Sequence, residues 1–284
     1  MAIKNVGVIG GGLMGRGIVE VSLLSGYNVI VSEINQELLD KALAALDASL
    51  EKSVKNNRIT AEHKADAQKR LKSTIKVEDF KACELVIEAA IENLDLKKKI
   101  FSDLDRICPP QTILATNTSC LSIMDIAAAT KRQDRVLGIH FFNPVPLMKL
   151  VEQVRTIATI EETLKTARTY VESTGKEIVT ATDSPGFIVN RLLLPFLLEA
   201  VKMLESGQAT KEDIDKAVKL GLNHPMGPFT LSDFIGLDTV NFICAAMYDD
   251  LKEPRFAPPI LLKKLVASGR FGRKSGKGFY DYTK

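Results

Sequence analysis

The chain has 284 residues, 45% of them hydrophobic and 26% charged, enough to bury the cores of two packed domains. Lysine and arginine total 38 against 35 aspartates and glutamates, a formal net charge of +3, too balanced to argue for a nucleic-acid or membrane-surface partner. No apolar run approaches the roughly 20 residues of a membrane span, and four cysteines without a CxxC, with three histidines at no zinc-ligand spacing, predict neither a disulfide framework nor a metal site.

NVGVI (5–9) is short, apolar and β-rich, and predicts the first strand. A strand starting this early is expected to leave no room for a signal or transit peptide, and free thiols suit a reducing compartment, so the expected location is the cytoplasm. A glycine cluster follows, then LMGRGIVEVSLLSGY, a helix stopped by Gly26, and the strand NVIVSE (28–33). Together these make one βαβ unit. Residues 36–56 and 61–72 predict two helices split by the polar NNRIT; Leu39, Leu43, Leu46, Leu50 and Val54 recur at helical spacing in the first, while the second is highly charged. Strand-like runs return at 84–89, 112–117, 135–142 and 176–181, with helical patterns at 94–107 and 162–174. Strands alternating with helices predict a mostly parallel sheet. After DSPGF (183–187) the pattern turns helical: 190–204 is long and apolar, and 211–220 follows Thr210, a suitable N-cap. The expected fold class is α/β. A Rossmann-type, doubly wound domain over 1–183, with an inserted helical hairpin, precedes an all-α domain over 184–284.

Gly10, Gly12 and Gly15 form a GxGxxG that follows a strand, opens a helix and is followed by Glu33 at the end of the second strand. The first glycine allows the tight turn, the second lets backbone approach a pyrophosphate, and the third lets helix pack on strand; the helix N-terminus offers its amides to phosphate. Leu13 and Met14, between the last two glycines, join this cofactor-binding set. Glu33 would accept hydrogen bonds from the adenosine ribose and repel a 2′-phosphate. Residues 34–37 offer no Arg or Lys to bind one, so NAD is expected over NADP. The bland reading is a glycine-rich turn with no ligand.

HFFNPVPLMKLVE (140–152) is the most informative segment. His140 ends a strand-like run, where open α/β sheets place their ligands. Glu152 lies beyond a Pro-containing turn that could bring the chain back. An imidazole can take a hydroxyl proton at neutral pH, and a carboxylate on its other nitrogen fixes the tautomer. On residue types alone, a structural histidine is an equal alternative. Ser119 could equally cap a helix starting near Leu121, Asn190 could bridge backbone, and Lys97 to Lys99 could be a solvated face.

The segments VIGGGLMGRGI, VIEAAIEN, ATNTSCLSI, HFFNPVPLMKLVE, PGFIVNR, NHPMGPF and GRKSGKGFYDY, in this order, resemble the 3-hydroxyacyl-CoA dehydrogenase family, above all its short bacterial members, the 3-hydroxybutyryl-CoA dehydrogenases. The resemblance runs from about residue 3 to residue 282. It implies NAD-dependent oxidation of an (S)-3-hydroxyacyl-CoA, short-chain by this likeness, or the reverse reduction, in a cleft between two domains of a homodimer. It implies His140 as base, Glu152 as its orienting partner, Ser119 on the substrate oxygen and Asn190 completing the site. It carries Glu92, Lys97, Ser119 and Asn143 to the nicotinamide half of the cofactor and Lys274 to a place beside it. Ser49 matches a coenzyme A contact. A family lysine falls on Asn56, so Lys52, Lys55 and Arg58 are the expected substitutes on the coenzyme A phosphates. Rival readings are a hydroxyacid dehydrogenase with a lysine base, an NADP-preferring or longer-chain family member, and a non-catalytic NAD-binding structural protein.

Overall fold

The βαβ unit at the N-terminus is the seed of a larger sheet. In this computed structural model, which describes residues 2–283, the strands are β1 (Asn5–Ile9), β2 (Asn28–Ser32), β3 (Leu71–Thr74), β4 (Leu85–Glu88), β5 (Ile113–Thr116), β6 (Val136–Phe141), β7 (Leu150–Arg155) and β8 (Glu177–Thr182). They form one sheet in the order β3-β2-β1-β4-β5-β6-β7-β8. Neighbours are parallel except at β6–β7, so β7 and β8 run against the other six strands. The first six positions have the doubly wound order of a dinucleotide-binding fold, whose ligand crevice opens outside the carboxyl ends of the strands.

Two strands depart from the sequence reading. Residues 71–74 are the edge strand β3 rather than the end of a helix. Residues 150–155 are the buried strand β7, which the polar Glu152 and Gln153 hide from any apolar-run test. The helices of this part are α1 (Leu13–Leu24), α2 (Gln36–Lys55), α3 (Ala61–Lys69), α4 (Leu94–Ile107), α5 (Ile123–Ala127) and α6 (Glu161–Ser173). The α2–α3 hairpin is inserted between β2 and β3. Asn35 caps α2 by accepting from Leu38 N–H, Asn93 caps α4 through Leu96 N–H, and Thr60 caps α3 through His63 N–H. The core runs along the central strands (Val6, Val8, Leu85, Ile87) and takes in Ile18 and Leu23 of α1 and Leu39, Leu46 and Leu50 of α2.

The chain divides into two compact units, one ending at Asp183 and one beginning at Ser184. The second contains α7 (Val189–Glu205), α8 (Lys211–Gly221), α9 (Pro228–Ile235), α10 (Leu237–Leu251) and α11 (Ile260–Ala267). Two buried aspartates organise it. Asp215 of α8 accepts from the Phe229 and Thr230 amides at the start of α9. Asp233 of α9 accepts from the Phe279 and Tyr280 amides and the Tyr282 hydroxyl, pinning the C-terminal segment. A Cβ at Gly278 would lie 1.9 Å from the Asp233 carboxylate, so no side chain fits there. Among the described residues no single helix is long and apolar enough to cross a membrane, and no group of three or more His, Cys, Asp and Glu could hold a metal ion.

Candidate active site

At the carboxyl end of β1 the chain turns through Gly10 (φ 93°) and enters α1 at Gly12. A Cβ at Gly15 would sit 1.7 Å from the Gly10 carbonyl oxygen, so helix and turn touch backbone to backbone. A Cβ at Gly12 would meet nothing within 4 Å. Packing therefore does not demand glycine there; the open space in front of the loop does, once a ligand fills it. No side chain caps α1, and its first turn holds no acidic residue. An uncapped helix start beside an open glycine is the donor set a pyrophosphate needs, so the residues fit the expected dinucleotide. Glu33 braces the loop from the side: its carboxylate accepts from Gly11 N–H at 2.6 Å and from Ile34 N–H at 3.2 Å. Leu13, Ile34 and Ile91 are exposed beyond β1, β2 and β4. They could give an aromatic base an apolar rim, and of the three only Leu13 is singled out by the sequence.

His140 and Glu152 are direct cross-strand partners of the antiparallel β6–β7 pair. His140 Nδ1 lies 2.7 Å from Glu152 Oε2, with the imidazole 8% exposed and the carboxylate fully buried. The ladder, not the Pro-containing turn, brings them together. Asn117 Oδ1, past the end of β5, accepts from Phe141 N–H at 2.9 Å and ties β6 to its neighbour. The intervening loop is held from two sides. Val145 packs on Gly17 of α1, where a Cβ would come within 2.7 Å of the Val145 Cβ. The buried Lys176 ammonium donates to the Val145 and Met148 carbonyls at 2.6 and 2.8 Å. Burial draws the Lys176 pKa down, opposed by the nearby Glu20 carboxylate.

The loops after β4 and β5 meet at Glu92. Its Oε1 accepts from the Thr118 hydroxyl and, at 2.9 Å, from Ser119 N–H. Its Oε2 lies 3.2 Å from Lys97 Nζ. Lys97 is only 1% exposed and also reaches the fully buried Glu88 at 2.6 Å. This rules out the alternative of Lys97 as part of a solvated face: its ammonium is buried between two carboxylates. Ser119 is not a helix cap either. Ser122 caps α5, accepting from Asp125 N–H, and Asp183 accepts from the Ile123 and Met124 amides at 3.2 and 2.7 Å. Burial raises the Asp183 pKa against those two hydrogen bonds.

Arg16, Lys52 and Arg58 line a cavity of about 230 Å³ between α1, α2 and the loop at Asn143–Leu147. None of the three forms an ion pair among the described residues. Ser49 also lines it, but donates its hydroxyl to the buried Glu20 at 2.6 Å. Of the three cations expected there, Lys52 and Arg58 are among the lining residues and Lys55 is not; Arg16 of α1 joins them. Glu20, Glu88, Arg16 and Lys176 escape the sequence reading; Arg16, inside the glycine motif's helix start, is the one with a visible signal. In the second unit, Asn190 lies in the first turn of α7, and Lys274 pairs with Asp238 at 2.6 Å.

Comparison with known proteins agrees along the whole length. The family model for the 3-hydroxyacyl-CoA dehydrogenase NAD binding domain matches residues 5–184, and that for the C-terminal domain matches 186–282. A 3-hydroxybutyryl-CoA dehydrogenase from Mycobacterium tuberculosis is 46% identical over 283 residues, 99% of each chain. The mitochondrial hydroxyacyl-coenzyme A dehydrogenase of Sus scrofa is 45% identical over 287 residues, 99% of this chain and 91% of that one. The crystal structure of (S)-3-hydroxybutyryl-CoA dehydrogenase from Ralstonia eutropha superposes with a TM-score of 0.95 at 42% identity, covering 100% of both chains. Likeness of this degree, running from end to end through both domain models, leads to a plain assignment: the chain belongs to the 3-hydroxyacyl-CoA dehydrogenase family.

Proposed function

We propose that this protein oxidises the 3-hydroxyl of a short (S)-3-hydroxyacyl-CoA to the ketone with NAD, and carries out the reverse reduction of acetoacetyl-CoA. The observation that carries the reading is the buried His140–Glu152 pair on the same sheet edge as an open, uncapped phosphate-binding loop. Bound NAD supplies the hydride acceptor at its nicotinamide ring. The protein supplies position and proton transfer. Glu152 accepts a hydrogen bond from Nδ1–H, fixes the tautomer and makes Nε2 the nitrogen that takes the hydroxyl proton. Once the imidazole is protonated, the same buried carboxylate balances its charge. Ser119, on the loop shaped by Glu92, is assigned to the substrate oxygen, and Asn190 to the acyl substrate.

The cavity ringed by Arg16, Lys52 and Arg58 suits the coenzyme A phosphates, because phosphate needs cationic charge more than one fixed geometry. It opens beside Asn143, in the loop that follows the strand of His140. Exposed Leu192, Leu220, Phe234 and Ile260 give the second unit apolar surface consistent with the expected homodimer. The test is NADH consumption by the purified protein with acetoacetyl-CoA, with acetoacetate lacking coenzyme A as control. Turnover is expected with the thioester and NADH. Absence of turnover with the thioester, in protein that binds NADH, would refute the reading.

A further inference from the structure

The loops after β4 and β5 rest on a closed ring of polar groups, buried except for the partly exposed Glu92. Glu88, the last residue of β4, accepts from Ala90 N–H at 2.7 Å, the Lys97 ammonium at 2.6 Å and the Thr116 hydroxyl at 2.7 Å. Thr116 in turn accepts from Thr118 N–H at 3.2 Å. Thr118 donates its hydroxyl to Glu92, and Glu92 returns to Lys97. Two carboxylates thus share one ammonium. Among the described residues no other Lys or Arg pairs with either acid. A structural ion pair would be complete with Glu88 and Lys97 alone; the second carboxylate leaves the cluster one negative charge in excess.

The strand order decides what passes over it. The phosphate loop follows β1, the base stands at the end of β6, and β4 and β5 lie between them. A dinucleotide with its phosphates at the first and its reactive ring near the last must lay its nicotinamide half across the carboxyl ends of β4 and β5. The oxidised ring carries a positive charge and the reduced ring carries none. A fixed negative charge in a water-poor region attracts the first and not the second.

We propose that the Glu88–Lys97–Glu92 cluster sets the relative affinity for NAD+ over NADH, with Glu88 as the positioning residue that anchors Lys97 and fixes the cluster's charge. The proposal rests on the dehydrogenase reading above. It is tested by measuring the dissociation constants of NAD+ and NADH by calorimetry, without substrate, for the wild type, Glu88→Gln and Glu92→Gln. Each substitution removes one negative charge. Each is expected to raise the ratio of the NAD+ to the NADH constant about three- to tenfold, the scale of a unit charge acting across several ångströms at reduced dielectric. A role in loop structure alone would weaken both cofactors alike; an unchanged ratio overturns the proposal and leaves the dehydrogenase reading standing. If Glu88→Gln does not fold, Glu92→Gln, at the more exposed acid, decides alone. A wild-type protein that binds neither cofactor would overturn the proposal and the dehydrogenase reading together.

Discussion

Glu152→Gln isolates the electrostatic part of proton transfer. The carboxylate is fully buried and its oxygen lies 2.7 Å from Nδ1, so solvent screens the pair little. With charge centres about 4 Å apart and an effective dielectric of about 20, the attraction on the protonated imidazole is about 4 kcal/mol. Glutamine recovers about 1 kcal/mol of this as a neutral hydrogen bond. The remainder, about 3 kcal/mol at about 1.4 kcal/mol per decade, predicts a fall of about 10²-fold in kcat for hydroxyl oxidation. If the amide turns its N–H toward Nδ1, the proton moves to Nε2, the base is lost and the fall approaches about 10³-fold or more, as known tautomer-reversing substitutions illustrate. The assay is NADH formation from 3-hydroxybutyryl-CoA at saturating NAD+, with circular dichroism and NADH affinity as controls. Less than a fivefold loss in folded protein with normal NADH affinity would refute the assignment of Glu152.

Three further outcomes are expected. Catalytic efficiency with NADH should exceed that with NADPH, and Glu33→Ala should narrow the gap; equal use of the two cofactors by the wild type contradicts the role given to Glu33. Gly12→Ala should leave thermal stability unchanged, since its Cβ meets nothing, yet weaken NADH binding, whereas Gly15→Ala, whose Cβ would press on the Gly10 carbonyl oxygen, should cost about 1–3 kcal/mol of stability; equal melting temperatures for the two variants would contradict this. Burial pushes the thiols of Cys83 and Cys244 up to about 12 and that of Cys108 up to about 11, from an ordinary 9.0. The folded state therefore keeps protons that the unfolded state loses, so each thiol's contribution is present below pH 9.0 and is lost at about 1.4 kcal/mol per pH unit as pH climbs toward its folded value. Lys176, whose pKa is drawn down, has the opposite sign, but it is one group against three. Urea midpoints should fall between pH 8 and pH 10, and a rise would show that thiol burial does not govern alkaline stability.

The glycine loop and the β1–α1–β2 unit are readable because each element depends on neighbours in sequence. Glu152 is marked by its distance from His140 along a shared motif, although the strand that carries it is not: a buried acid and a buried amide break the apolar run that would mark β7. The edge strand β3, reading LKST, carries too little apolar signal to separate from the charged helix before it. Lys97 sits in a KKK run on an amphipathic helix, and only the fold shows that the first of the three turns inward to meet Glu88. Glu88 itself is one acid in a strand otherwise apolar, with no spacing to betray its partners. NHPMGPF and GRKSGKGFYDY also take on a different meaning. Their glycines make room for Asp215 and Asp233, so both motifs record how the second unit is built as much as anything it binds.

Because His140 and Glu152 face each other across a ladder, their separation is indifferent to the length of chain that joins them. Residues 142–149 could gain or lose length while the flanking rungs Phe141–Val151 and Ile139–Gln153 keep the pair aligned. That segment also walls the cavity beside Asn143. The scaffold thereby separates two evolutionary problems: the loop that lines the cavity can be rewritten, generation by generation, while the alignment of His140 with Glu152 is inherited intact with the sheet.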